Sequence, residues 1–160
     1  STGIRTPIGV KVIGADLVES DGYEAHRIAT GVPRGGLDFM YSDAFPHESN
    51  MDRLHGVDFD KGCYVGQEVV SRMQHRGTAR TRVVRVILDD FSPETGIPVL
   101  AGDKPVGTMG STAGGKGLAL VRIDRVADAL DAGLGLTAGG LAMHLADPND
   151  IRTPPKQTVA

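Results

Sequence analysis

Residues 80–89 read Arg-Thr-Arg-Val-Val-Arg-Val-Ile-Leu-Asp, and their reading sets the fold of the second half of the chain. β-Branched residues crowd the stretch and no Gly or Pro interrupts it, which is the composition of a β-strand. Towards the C-terminus, residues 97–101 and 104–112 flank Gly102-Asp103, turn chemistry that joins a hairpin. Residues 117–123 (Gly-Leu-Ala-Leu-Val-Arg-Ile) read as another strand. Asp124 is placed to cap a short helix in which Val126, Ala129 and Leu130 share a face, and Gly133 ends it. Residues 141–146 (Leu-Ala-Met-His-Leu-Ala) read as a last strand, and Pro148, Pro154 and Pro155 mark a tail. Several short strands with Gly-rich turns imply a small β-barrel or sandwich.

Towards the N-terminus the texture changes at Gly77. Residues 65–75 predict a helix: Val65, Val69 and Met73 repeat every four positions, with Val70 beside them. Gln67, Ser71 and Gln74 line another face, and Glu68 and Arg72 form an i, i+4 pair in the favourable order. Residues 33–50 carry Pro33, Gly35, Gly36, Pro46 and Asn50 and read as a long loop, which in a compact domain is often functional. Before it, Asp21 followed by Glu24 resembles a capping box, and a helix is expected from about Gly22 to Thr30, stopped by Gly31 and Pro33. Residues 9–15 predict a short strand.

The 160 residues have 40% hydrophobic and 23% charged content, an ordinary globular balance that fits one domain or two small ones. The apolar runs are too short for a membrane helix, which needs about 20 residues. One cysteine makes neither an internal disulfide nor a Cys-rich zinc site. It also favours a reducing compartment. A net charge of −3 does not describe a generic polyanion binder. Six of the seven aromatics (Tyr23, Phe39, Tyr41, Phe45, Phe59 and Tyr64) precede residue 65, and only Phe91 follows. Two regions with different packing are expected, and the Ser1 start suggests a piece of a larger molecule.

Three near matches are set aside. Residues 110–117 (Gly-Ser-Thr-Ala-Gly-Gly-Lys-Gly) approach a phosphate-binding P-loop, but Gly117 stands where a Ser or Thr would hold magnesium and a strand follows where a helix should start. They read as a Gly-rich turn. His47-Glu48 begins an HExxH pattern that Met51 breaks, and the five histidines show no metal-ligand spacing, so no metal site is expected. Arg72, Arg76, Arg80, Arg82 and Arg85 form a basic run without interleaved aromatics, which disfavours nucleic acid and predicts a solvated strand face balanced by acids elsewhere. A small anion remains open, because Arg suits bidentate contacts.

Residues 61–68, Lys-Gly-Cys-Tyr-Val-Gly-Gln-Glu, form a tight approach to the helix expected from Val65. Gly62 and Gly66 allow a sharp turn. Cys63 sits just before the helix, whose N-terminal partial charge, with Lys61 two residues away, would favour a thiolate. The alternative is a buried, inert thiol. His55 and His75 are candidate bases only if the fold brings them near.

The octet resembles the K-G-C-Y-x-G-Q-E signature of the folate-binding YgfZ family, relatives of the glycine-cleavage T-protein (aminomethyltransferase) that include a mitochondrial iron–sulfur cluster assembly factor. Arg27-Ile28 with Gly31-Val32-Pro33 resembles that family's R-I-x-x-G-I-P, and Pro46, Glu48 and Asn50 its P-x-E-x-N. Gln67-Glu68 with Arg72, and Arg76-Gly77, resemble G-Q-E-x-x-x-R and R-G. The likeness covers roughly residues 23–85, with a weaker match in the later strands.

The resemblance implies the C-terminal half of a three-domain ring around a folate cavity. The implied class is α+β: residues 1–77 as the remnant of an α/β folate-binding region, 78–148 as a small antiparallel β-barrel, as in the T-protein-like fold, and 149–160 as a tail. It implies a folate-binding accessory protein for iron–sulfur cluster assembly or repair. Cys63 would be the key thiol, tuned by Lys61. Tetrahydrofolate or a one-carbon derivative would be held by Tyr64, Gln67, Glu68, Arg72 and Glu48. Cluster carriers or assembly proteins would be the partners, in a bacterial cytoplasm or a mitochondrial matrix. Ala29 stands where T-protein carries a glutamate near folate, and alanine can neither hydrogen-bond a pterin nor act as a base. This speaks against a tetrahydrofolate-dependent aminomethyltransferase. A non-enzymatic partner-binding module is the third reading.

Overall fold

The computed structural model describes residues 20–76, 79–89 and 91–152. The strand expected at 9–15, the stop expected at Gly77 and the prolines at 154 and 155 lie outside them. The elements in chain order are α1 (Ser20–Thr30), α2 (Gln67–Arg76), β1 (Thr81–Leu88), β2 (Pro98–Ala101), β3 (Lys104–Ala113), β4 (Lys116–Arg122), α3 (Ile123–Asp131), β5 (Leu136–Ala138), β6 (Leu141–Leu145) and a 3-10 turn at Pro148–Ile151.

The six strands close into an antiparallel barrel in the order β1-β4-β3-β2-β5-β6. The α+β class with a small antiparallel barrel is thus what the chain forms. Alternation decides which side chains enter. Val84, Val86 and Leu88 of β1 point inward, and they meet Ala119 and Val121 of β4, Val99 and Ala101 of β2, and Met143 of β6 in one buried cluster. Helix α3 adds Ile123, Val126 and Ala129 to the same core. These side chains are aliphatic, with Phe91 packed at the margin, so the barrel needs few aromatics.

The hairpin expected around Gly102-Asp103 forms, with Ala101 opposite Lys104 and Gly102 at φ +57, a value glycine adopts without strain. The Gly-rich stretch 110–117 ends in the β3–β4 turn at Gly114-Gly115. Met109 pairs with Ala119 and Thr112 with Gly117, so Gly110 and Ser111 together oppose Leu118 alone. That bulge matters below.

Three local expectations are corrected. Helix α3 takes Arg122 as its N-cap with no side-chain cap bond, and Asp124 instead pairs with Arg122 at 2.7 Å. Glu24 accepts from Arg27 at 2.8 Å and from Arg34 at 3.1 Å. Strand β5, three residues long, is too short to leave a period in the sequence.

Helix α1 lies on the outside of the barrel. Ile28 packs with Val83 of β1 and Leu118 of β4 in a second, small cluster that Ala113 and Leu120 extend. Gly31 at φ +79 ends the helix, with Val32 N donating to Arg27 O at 2.9 Å.

Candidate functional site

The octet spans the end of the long loop and the first turn of α2. Asp58 starts it: its Oδ1 accepts from the backbone N–H of Asp60 at 3.0 Å and of Lys61 at 3.2 Å. Lys61 then turns its ammonium over the Tyr64 ring, 5.0 Å from the centroid. Between these two, Cys63 is a free and exposed thiol. Of the two alternatives that the sequence left open, an accessible thiol and a buried one, the chain shows the accessible one. The helix does not begin at Val65 as expected. Gly66 stands at φ +86, outside the helical region, and α2 starts at Gln67. Cys63 is four residues ahead of it, and the influence of a helix terminus fades within one turn.

Tyr64 and Gln67 are half-buried, while Lys61, Glu68 and Arg72 are exposed. Glu68 and Arg72 pair with each other across one turn of α2, as their spacing predicts. Glu48 is elsewhere in the loop, where its Oε2 accepts from Phe45 N at 2.9 Å. Both carboxylates named for folate are thus already engaged. Tyr64 offers an aromatic face and Gln67 an amide, the two groups of the set that suit a pterin ring. Val65 beside them is fully exposed, and Val69 is 44% exposed. Two clefts on the described surface, of about 530 and 630 Å³, are lined by other residues: one between α3 and the β2–β3 hairpin, the other between α1 and β3.

The basic run is corrected. Arg82 is not a solvated strand residue but is buried, with two bonds to Asp52 at 2.9 and 3.0 Å. Arg85 holds Asp150 through Nε at 3.1 Å. Sequence reasoning passed over Asp38 and Asp52. Asp38 accepts from Arg27 Nη1 at 2.9 Å, from Arg34 N at 2.8 Å and from Ser111 N at 2.6 Å. The Ser111 amide is available because the bulge in β3 lifts it out of the ladder. Arg27 also reaches Ser111 Oγ at 2.7 Å, across 84 residues of sequence. The R-I and P-x-E-x-N resemblances thus fall on residues that fasten the loop region to the barrel.

Residues 80–153 match the family model described as the CAF17 C-terminal β-barrel domain. The chain is 37% identical over 120 residues to the human mitochondrial iron–sulfur cluster assembly factor IBA57. Together these likenesses support the resemblance to the YgfZ/CAF17 family. The CAF17-type barrel accounts for the match at 80–153, and the IBA57 matches extend the likeness. Identity is 50% over 70 residues to the IBA57 homologue of Mycosarcoma maydis and 41% over 97 residues to that of Chaetomium globosum. The three matches take in 72%, 44% and 57% of this chain, in the order human, M. maydis and C. globosum. They span only 34%, 17% and 22% of those proteins' own lengths.

Proposed function

We propose that this chain serves iron–sulfur cluster assembly or repair through the exposed thiol of Cys63, with tetrahydrofolate or a one-carbon derivative as its small-molecule ligand. The observation that carries the reading is the octet itself. Its one thiol stands free on a loop held by Asp58 and by the Lys61–Tyr64 contact. The names of the human and fungal relatives support the cluster role. A cluster carrier or assembly protein is the partner, and the mitochondrion, which the names of those relatives give, is the compartment in a eukaryote, with its matrix as the proposed site. No helix among the described residues is long and apolar enough to cross a membrane.

Folate is supported by Tyr64 and Gln67, which offer a stacking face and an amide. Glu48, Glu68 and Arg72 brace the loop and the helix, and Lys61 places the Tyr64 ring. The test is complementation. In cells lacking their own copy, Cys63→Ala is expected to leave cluster-dependent enzymes several-fold less active than the unchanged protein does, at equal protein level. Equal activity would remove the thiol from the proposal. Tyr64→Ala is expected to weaken tetrahydrofolate binding, read by titration calorimetry, and unchanged binding would remove folate from that loop.

The engagement of Glu48 and Glu68 favours one second reading, a partner-binding module in which the octet is structural. It predicts full complementation by Cys63→Ala and no folate binding.

A further inference from the structure

Strand β6 pairs with β1 only at Val86–Leu88. Upstream of that, the edge of β1 turned away from β4 has no strand beside it among the described residues. An unpaired sheet edge is costly when buried, and Val83 is 1% exposed. Its amide donates to Glu48 O at 2.9 Å, and its carbonyl accepts from Asn50 Nδ2 at 2.8 Å. The loop thus mimics a strand for a single residue.

We propose that residues 46–54 are a strap that holds the octet-bearing region on the barrel, with Asn50 as its latch. Three features make the latch specific. Asn50 stands at φ +62, a left-handed conformation that asparagine tolerates better than other side chains. Its Oδ1 accepts from Arg82 Nη1 at 3.2 Å while its Nδ2 serves Val83. Arg82, buried on the inward-pointing parity of Val84 and Val86, has its hydrogen bonds among the described residues to the strap residues Asn50 and Asp52, and its Nε has no hydrogen-bond partner among them.

Lifting the strap therefore strips a buried guanidinium of its bonds to Asn50 and Asp52 together, so it opens as a unit and not by fraying. Arg53 extends it to the other side, donating to Asp150 O at 3.0 Å and Arg152 O at 2.8 Å. An open strap frees the segment leading to Cys63 and uncovers the β1 edge at Val83. The β1–β4 ladder, to which the opposite edge of β1 belongs, stays closed.

Hydrogen exchange of the whole chain carrying Asn50→Gly tests this. Glycine keeps the left-handed backbone without strain and removes both side-chain bonds. The Val83 amide is expected to exchange about tenfold faster or more. The Leu88 amide, which donates to Gly115 O on the β4 side, is expected to stay within about twofold. Asn50→Asp tolerates the same backbone and keeps an acceptor for Arg82 but has no donor for the Val83 carbonyl, and it is expected to give the same contrast. An unchanged Val83 amide would overturn the latch. Equal acceleration at Val83 and Leu88, or failure of both variants to fold, would overturn the separate opening of the strap.

Discussion

Arg27 and Asp38 meet at 2.9 Å with side-chain exposures of 3% and 1%, which makes theirs a desolvated ion pair between helix α1 and the long loop. Ser111 completes it from the barrel, so three segments distant in sequence share one polar knot. Asp38→Asn keeps the size and removes the countercharge. Glu24 still faces Arg27 at 2.7 Å, but is itself 29% exposed. The expected cost is about 3 kcal/mol in urea unfolding, and a cost under about 1 kcal/mol would contradict the knot.

Two glycines predict opposite signs. A Cβ on Gly110 would stand 2.3 Å from Asp38 Oδ1 and 3.1 Å from Asp38 Cα, so Gly110→Ala must push the loop off the bulge. A loss of about 2 kcal/mol is expected. Gly22 sits inside α1 with nothing within 4 Å of an added Cβ. There Ala gains helix propensity, and a stabilisation of about 0.5–1 kcal/mol is expected. Thermal unfolding of both variants checks the pair.

Ile28 is the apolar link between α1 and the barrel, 2% exposed against Val83 and Leu118. Ile28→Ala is expected to cost about 2–4 kcal/mol, against about 1 kcal/mol for Ile28→Val. Equal costs for the two would mean that α1 does not pack there.

Acid sensitivity has a defined sign. The Arg27 hydrogen bond is the largest influence lowering the Glu24 carboxyl from its ordinary 4.5, opposed by desolvation. The hydrogen bond from Arg122 likewise lowers Asp124 from 3.8. A carboxylate with a lowered folded pKa contributes stability that is full above its unfolded pKa and lost as pH falls through the folded one. The melting temperature is expected to be flat from neutral pH down to the ordinary carboxylate range and to fall below it. Glu24→Gln is expected to lower the plateau and make the acid fall shallower. An identical pH profile in Glu24→Gln would remove Glu24 from the account.

The barrel was legible because its strands are short runs of Val, Ile and Leu between glycines, and the Gly102-Asp103 turn fixed the hairpin. Helix α1 and its Gly31 stop were legible for the same local reason. The knots were not. Asp38 reaches Ser111 across 73 residues and Arg82 reaches Asp52 across 30, and no local pattern encodes such partners. A signal existed in the excess of arginines on a strand that needed a buried face, but it read as solvated charge. Helix α2 began late because Gly66 took a left-handed conformation, a choice that helical periodicity alone does not show. The octet was found as a pattern, and its exposure became visible only with the loop around it.

The account rests on a thiol that solvent and partners can reach. The most direct measurement is the alkylation rate of Cys63 in the native chain at several pH values, with the urea-unfolded chain, whose thiol titrates near a pKa of about 8.5, as reference. The expected result is native reaction within about tenfold of the unfolded rate at neutral pH. A thiol that reacts only after unfolding would contradict the account and leave the octet a structural signature.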